Sequence, residues 1–218
     1  MAIRLQVTTT DEEFRARINF ATAQLVNNAF KKSKGRILDK TRQLVKQTLS
    51  ADPTINSLIG GSLQGDFGLT DDLALSATDD IINIVSGDFG IKFDLPKSKR
   101  AKTLGTMVLY IDTPQTIAKV MSISGGRYQS NIYNIPWIEW LLSKGAQVVV
   151  GGWEYVELFD EQINSSRSGQ GIMMKTGGSF RVEPEHAGTL DDNFITRAIG
   201  RINEDIQQIV VSELQRAF

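Results

Sequence analysis

The spacing of apolar residues changes twice along this 218-residue chain, and this limits the folds that it can adopt. Over residues 11–50, and again over about 192–217, apolar side chains recur at steps of three and four, the period of an amphipathic helix. Between them, from residue 89, apolar and polar residues alternate in short runs, which is typical of half-buried strands. The sequence therefore predicts an α+β fold: a mostly antiparallel sheet bracketed by a long N-terminal helix and a C-terminal amphipathic helix.

The N-terminal helix is predicted over residues 11–50. Thr10-Asp11-Glu12-Glu13 has the form of a capping box, in which side chains at both ends bond to free backbone amides. Gly35 either kinks the helix or separates two helices, and Pro53 ends the pattern. The predicted apolar face consists of Phe14, Ile18, Ala21, Leu25, Ala29, Ile37, Thr41, Leu44, Val45 and Leu49.

The next segment combines glycine with few charges. Residues 54–70 contain four glycines, so we expect a flexible glycine-rich loop with at most one helical turn. Thr70-Asp71-Asp72 can cap a second helix, which runs to about Ser86. Its inward face would carry Leu73, Ala77, Ile81, Ile84 and Val85. We interpret residues 1–218 as a single domain.

The strands are predicted from alternation and from glycine pairs. We expect a strand at Phe89–Phe93 and a central strand at Thr106–Asp112, with short helices starting at Thr113-Pro114 and Pro136. Two hairpins are expected because paired glycines suit tight turns. They join Ala146–Val150 to Trp153–Phe159 around Gly151-Gly152, and Ile172–Lys175 to Ser179–Val182 around Gly177-Gly178.

The composition excludes several classes of site. The absence of cysteine excludes disulfides and thiolate sites, and no apolar run approaches the roughly 20 residues of a membrane span. The first residues lack the pattern of a secretory signal, so we expect synthesis in a cytoplasm. The net charge is −1, but residues 1–50 carry ten Lys or Arg against four acids, and residues 51–96 carry one Lys against eight Asp. Such segregation suits either a solvated surface or head-to-tail contact between copies.

We find no catalytic, cofactor-binding or metal site in the sequence. His186 is the only histidine and is interpreted as a packing or interface residue. The pairs Asp71-Asp72, Asp79-Asp80 and Asp191-Asp192 point in different directions along a helix, so none alone forms a two-metal clamp. Residues 169–176 resemble a P-loop, but Met174 replaces its second glycine and Gly177-Gly178 replaces its helix.

Three further segments have two interpretations each. The basic segment 97–102 is a solvated loop or a phosphate contact. Trp137, Trp140 and Leu141 are core residues or an exposed protein-binding anchor. The loop of residues 165–169 is a plain loop or brings Arg167 to a carboxylate of a partner.

The pattern of residues 135–200 resembles the neck or tail-completion proteins of tailed bacteriophages. Its first block is Ile135-Pro136-Trp137-x-Glu139-Trp140-Leu141-Leu142 with a glycine just beyond it. The second is Ser166-Arg167-x-Gly169-x-x-Ile172-Met173, and the third runs from Phe180-Arg181-Val182-x-Pro184 through Ala187-Gly188-Thr189 to Asp192-Asn193-Phe194-Ile195-Thr196-Arg197-Ala198. The first half of the chain matches this family only in its layout.

The resemblance implies a non-enzymatic structural virion protein without a cofactor. Such a protein would form a homo-oligomeric ring at the head–tail junction, joining the portal or adaptor to the tail tube or tail terminator. DNA would pass through the ring without sequence-specific binding, assembly would occur in the host cytoplasm, and no membrane would be involved. The alternatives are another tail component, such as a tail terminator or baseplate subunit, and a carboxylate-dependent assembly hydrolase.

Overall fold

The computed structural model describes residues 11–94, 106–129, 134–151, 154–157, 171–174 and 179–217. Its helices are α1 (Asp11–Ser50), α2 (Pro53–Gly60), α3 (Ser62–Phe67), α4 (Asp71–Gly87), α5 (Thr113–Met121), α6 (Trp137–Ser143), α7 (Phe194–Arg201) and α8 (Asn203–Gln215). Its strands are β1 (Gly90–Asp94), β2 (Thr106–Tyr110), β3 (Tyr128–Gln129), β4 (Asn134–Ile135), β5 (Val148–Gly151), β6 (Glu154–Glu157), β7 (Gly171–Met174) and β8 (Ser179–Arg181). All described strand pairs are antiparallel, and the predicted α+β fold is confirmed.

Helix α1 is continuous over 40 residues, which confirms the predicted long helix. It passes through Gly35 without interruption, where a Cβ would have no neighbouring atom within 4 Å. Thr10, the predicted cap, lies outside the described residues. Buried positions recur every fourth residue along the second half of the helix, at Ala29, Ser33, Ile37, Thr41, Val45 and Leu49.

Residues 54–70 form helices α2 and α3, so the prediction of a loop there is wrong. Leu58, Leu63 and Phe67 are fully buried and anchor the two helices. The glycines act as helix ends: Gly61 lies between α2 and α3, and Gly68 ends α3 in the left-handed conformation, with φ of 60°. Gly61 and Gly68 therefore indicate helix ends and not a loop, because a helix end needs the same backbone freedom as a loop.

Helix α4 follows its prediction closely. The Thr70 side chain accepts a hydrogen bond from the backbone N–H of Leu73. Of the five residues predicted on the inward face, Ala77, Ile81 and Val85 are buried, and Leu73 and Ile84 are half-buried. The short helices predicted after Thr113-Pro114 and Pro136 are present as α5 and α6.

The predicted strands are present, but several pair differently. Strand β2 pairs with β1, and within the described residues it has no second neighbour, so it is not a central strand. Strands β5 and β8 pair with each other, and β6 pairs with β7. The two predicted hairpins are therefore wrong, because the pair formed by β6 and β7 lies in sequence between the two strands of the other pair. Gly151 is the last residue of β5 and lies opposite Ser179, and the register of this pair shifts between Val148 and Val150.

The C-terminal helix is divided in two. Helix α7 begins after the capping residue Asn193, and the chain leaves helical geometry at Ile202 before α8 begins. Gly200 and Asn203 flank this break, and both are poor helix formers. The three-and-four spacing predicts one apolar face that consists of Ile195, Ala198, Ile199, Ile202, Ile206, Ile209, Val210 and Leu214. The face is confirmed where Ile195, Ala198, Ile202 and Ile206 are buried, and its other residues are half-buried.

The chain divides into two compact units, a division that no feature of the sequence predicted. The first unit comprises Met1–Lys40, Gly90–Tyr110 and Gln207–Phe218, and the second comprises Thr41–Phe89 and Ile111–Ile206. Within the described parts of both, no helix combines the length and hydropathy that a bilayer span requires.

The first unit is held by charge and aromatic contacts. Glu213, whose side chain is 2% exposed, accepts from Arg36 Nε at 2.5 Å and lies 2.6 Å from Lys40 Nζ. Hydrogen bonds from Lys40 and then Arg36 lower the pKa of Glu213 to about 2. The rings of Phe30 and Phe93 stack with centroids 5.8 Å apart.

The second unit has an aromatic core. Trp137 and Phe67 have ring centroids 5.6 Å apart, and Phe180 lies 6.2 Å from Phe67 and from Trp140. The core therefore joins α3, α6 and β8, which belong to distant parts of the sequence.

Candidate functional site

Trp137 occupies the centre of the second unit. Its side chain is fully buried, and its Nε1–H donates to the backbone oxygen of Gly125 at 2.8 Å. Trp140 is 8% exposed and Leu141 is fully buried. These residues are core residues, and the alternative of an exposed protein-binding anchor is wrong.

Two blocks of the phage-like pattern meet at Gly188. Its carbonyl oxygen accepts from the backbone N–H of Gly145, which has φ of 60°, at 2.8 Å. A Cβ at Gly188 would lie 2.6 Å from Cβ of Asn193 and 3.0 Å from the backbone oxygen of Leu141. Only glycine fits this close approach, so the residue types of the pattern are explained here by packing.

Asn193 fixes the start of α7 from a fully buried position. Its Oδ1 accepts from the backbone N–H groups of Ile195 and Thr196 at 3.1 and 3.2 Å, and its Nδ2 donates to the Thr189 oxygen at 2.9 Å. The Thr196 hydroxyl accepts in return from the Asn193 backbone N–H, which completes a capping box. The same side chain thus joins the loop before α7 to the helix itself.

A cavity of about 190 Å³ lies beside α2 and α7. Its walls contain an ion pair between Asp52 Oδ2 and Arg201 Nη2, 2.5 Å apart. Asp52 is 4% exposed and also caps α2, because its Oδ1 accepts from the backbone N–H of Thr54 at 3.0 Å. The lining residues are Asp52, Pro53, Thr54, Glu185, Phe194, Arg197 and Arg201.

His186 lies in a turn beside this cavity. Glu183 O accepts from the backbone N–H groups of His186 and Ala187 at 3.0 and 2.8 Å, which closes the turn. The imidazole is 7% exposed, and Nδ1 lies 3.2 Å from Thr54 Oγ1. The ring is therefore packed inside the second unit.

Carboxylates surround the same turn. Nε2 of His186 lies 3.4 Å from Glu185 Oε1 and 4.0 Å from Glu183 Oε2, and the Ser62 hydroxyl donates to Glu183 Oε2 at 3.0 Å. Burial, and then the charge of Glu183, raises the pKa of Asp66 to about 6. Negative charge therefore accumulates on one side of the His186 ring.

The three acidic pairs singled out in the sequence occupy other places. Asp71 and Asp72 form the first turn of α4, where Asp71 Oδ1 accepts from Gln64 Nε2 at 2.7 Å. Asp79-Asp80 lies further along α4, and Asp191-Asp192 precedes the cap of α7. Among the described residues, one group of three acidic or histidine side chains has ligand spacing, and it contains none of these six aspartates.

The first half of α1 carries an exposed apolar stripe, which consists of Phe14, Ile18, Ala21 and Leu25. Phe14 is 57% exposed, Ile18 49% and Leu25 64%, and Ala21 is exposed as well. At about 100° per residue the four positions fall within about 60° of the helix circumference. The sequence predicted these residues on one apolar helix face, and in the single chain this part of the face is exposed.

Comparison with protein families, with curated proteins and with solved structures finds no match for this chain. Three segments named in the sequence analysis lie outside the described residues: 97–102, 165–169 and the Gly177-Gly178 pair. Gly171–Met174 of the P-loop-like segment is strand β7, as expected for a segment that is not a P-loop.

The sequence analysis missed the residues of the cavity. Asp52-Pro53 is a helix-start signal, because Asp caps and Pro suits the first helical position, and it identifies α2. Nothing in the spacing indicates that Thr54 meets His186 or that Asp52 meets Arg201, since the members of each pair are separated by more than a hundred positions.

Proposed function

We propose that this chain is a non-enzymatic structural subunit of a tailed-bacteriophage virion. Copies of it form a ring at the head–tail junction, between the portal or adaptor and the tail tube or tail terminator. DNA passes through the ring without sequence-specific contacts. We infer which assembly the ring belongs to from the resemblance of residues 135–200 to neck and tail-completion proteins.

The exposed apolar stripe on α1 is the observation that carries the proposal. A row of large apolar side chains on one exposed helix face is typical of a surface that another protein covers. A second copy of this chain is the occupant that we propose. The segregation of charge supports that choice, because residues 1–50 are strongly basic and residues 51–96 strongly acidic, which favours head-to-tail contact. Head-to-tail contacts generate rings when the rotation closes.

The packing of the phage-like pattern also supports a structural role. Trp137, Gly188 and Asn193 each make a contact that only a few residue types can make, and each contact positions a helix or a loop. The pattern thus specifies a shape, as expected for a subunit whose surfaces must match those of its neighbours.

Native mass measurement of variants on the stripe tests the self-association. Replacing Ile18 or Leu25 with Ser should weaken assembly by about 10- to 100-fold for each buried side chain, because fully burying such a residue contributes about 1.5–3 kcal/mol. Leu75→Ser is the matched control, since Leu75 is 48% exposed on α4. Circular dichroism should show that all three variants remain folded.

The outcomes separate the proposal from its alternatives. The proposal of a ring subunit is supported if the parent protein forms a multimer, the stripe variants dissociate it and the control variant leaves it intact. A chain that stays monomeric both alone and within virions contradicts it. Location of the chain at the distal tail would instead support a baseplate subunit, and turnover of a substrate by the monomer would support the hydrolase.

A further inference from the structure

The turn at residues 183–186 brings together three side chains of the kinds that bind metal ions. Glu183, Glu185 and His186 each offer one ligand atom, and the three atoms lie within 4.8 Å of one another. In a tetrahedral site with bonds of about 2.1 Å, neighbouring ligand atoms are about 3.4 Å apart. Nε2 of His186 and Oε1 of Glu185 already have that separation, 3.4 Å. Glu183 is half-exposed and needs only a small side-chain rotation to join them.

The His186 ring is held in the orientation that a ligand needs. Its side chain is 8% exposed, and its Nδ1 hydrogen-bonds Thr54 Oγ1 at 3.2 Å inside the protein. A metal-binding histidine commonly donates its other ring N–H to such a partner, which fixes the tautomer and the ring. When Nδ1 donates to Thr54, the Nε2 lone pair points toward two carboxylates. A divalent cation between Nε2 and the two carboxylates would be attracted by all three ligand atoms, and without one a proton on Nε2 fills this place.

We propose that Glu183, Glu185 and His186 form a binding site for a borderline divalent metal ion of the Zn²⁺ class. An imidazole nitrogen with two carboxylate oxygens suits Zn²⁺ better than Mg²⁺ or Ca²⁺, which prefer oxygen ligands alone. Water completes the coordination, and the ion reaches the site from solvent because the side chains of Glu183 and Glu185 are 44% and 74% exposed. Through the Thr54 contact, the bound ion links the turn to α2 and stabilises the second unit.

The site is independent of the proposed virion function, because its ligands and its Thr54 partner belong to one unit of one chain. In the turn, His186 follows Glu183 and Glu185, and its Nε2 lies within 4.0 Å of a carboxylate oxygen of each. A histidine needed only for packing has no requirement for carboxylates on its open side.

Isothermal titration of chelator-treated protein with ZnCl₂ tests the proposal. We expect one Zn²⁺ per chain, and a rise in Tm of about 5–10 °C when free Zn²⁺ is about 100-fold above its Kd. MgCl₂ and CaCl₂ at the same concentrations should produce no shift. Co²⁺ in place of Zn²⁺ should give the visible absorption of a four-coordinate site.

Three variants locate the binding. Glu185→Gln is the main test, because Glu185 is 74% exposed and its replacement leaves the fold intact, and it should weaken Zn²⁺ binding by at least 10-fold. Thr54→Val should weaken binding by about 10- to 100-fold through loss of ring orientation. Glu204→Gln, an exposed acid on α8, is the control and should bind as the parent does.

Two outcomes would overturn the proposal. One is the absence of Zn²⁺ binding by the folded parent protein, which would mean that a proton satisfies the turn instead. The other is binding that survives both Glu185→Gln and His186→Gln unchanged, which would place the ion elsewhere.

Discussion

Replacing Gly188 with Ala tests the packing of the phage-like pattern at its tightest point. The new Cβ would lie 2.6 Å from Asn193 Cβ, 2.9 Å from Asn193 Cα and 3.0 Å from the Leu141 backbone oxygen. Two of these three atoms are backbone atoms, so no side-chain rotation removes the clash. Overpacking of this kind costs about 1–3 kcal/mol, and we expect the upper end, about 3 kcal/mol. For a chain of this length that corresponds to a fall in Tm of about 6–12 °C.

Urea unfolding followed by tryptophan fluorescence measures the effect, since Trp137 and Trp140 lie in the same unit as Gly188. Gly200→Ala is the matched control, because Gly200 is helical and a Cβ there meets no atom within 4 Å. It should stabilise by about 0.5–1 kcal/mol through helix propensity. Equal stabilities for Gly188→Ala and the parent protein would refute the contact between α6, Gly188 and Asn193.

Three further substitutions test other parts of the fold. Ile202→Asp should lower the free energy of unfolding by about 4 kcal/mol or more and abolish the cooperative thermal transition, because Ile202 is 6% exposed and the new charge has no partner. A soluble variant that melts like the parent protein would contradict the placement of Ile202 on the apolar face of the C-terminal helix. Asp66→Asn should raise the free energy of unfolding by about 1–2 kcal/mol at pH 8 in the presence of a chelator, a figure that allows for the partial exposure of the Asp66 side chain. The folded pKa of Asp66 is raised to about 6, so its contribution to stability is present below the ordinary value of 3.8 and lost as pH rises through 6; an advantage of the variant that is the same at pH 4 and pH 8 would disprove this origin. Glu213→Gln should lower Tm at pH 7 but not at pH 2, because the lowered pKa of about 2 confers stability that is present above pH 4.5 and lost as the pH falls toward 2. A Tm difference that does not depend on pH would exclude the ion pairs as its cause.

Local signals in the sequence predicted local structure well. The periodicity of residues 11–50, the Thr70 cap and the proline at position 114 each identified a helix, because each signal acts through backbone groups a few residues away. The same local reasoning failed for glycine, because glycine is frequent both in loops and at helix ends. The glycines of residues 54–70 were interpreted as a loop, whereas Gly61 and Gly68 end helices.

Signals that depend on distant partners were not available from one sequence. Strand β5 pairs with β8 and not with β6, because pairing depends on which strands the rest of the fold brings together. Likewise, Thr54 meets His186 across 132 positions, and Asp52 meets Arg201 across 149. Neither pair has a spacing that a sequence pattern could indicate.

The apolar stripe on α1 shows a third reason why the structure could not be fully predicted from the sequence. The period of Phe14, Ile18 and Leu25 correctly predicts one helix face, but period alone does not specify what covers that face. In the single chain these side chains are exposed. The assignment to a ring subunit follows from taking that exposure as the surface for another copy.

Electron cryomicroscopy of virions that carry a tagged copy of this chain tests the proposed function most directly. The account predicts a closed ring of copies between the portal and the tail tube, with the stripe of Phe14, Ile18 and Leu25 buried between adjacent subunits. Purified virions that lack the tagged chain, or a ring in which that stripe remains in solvent, would contradict it.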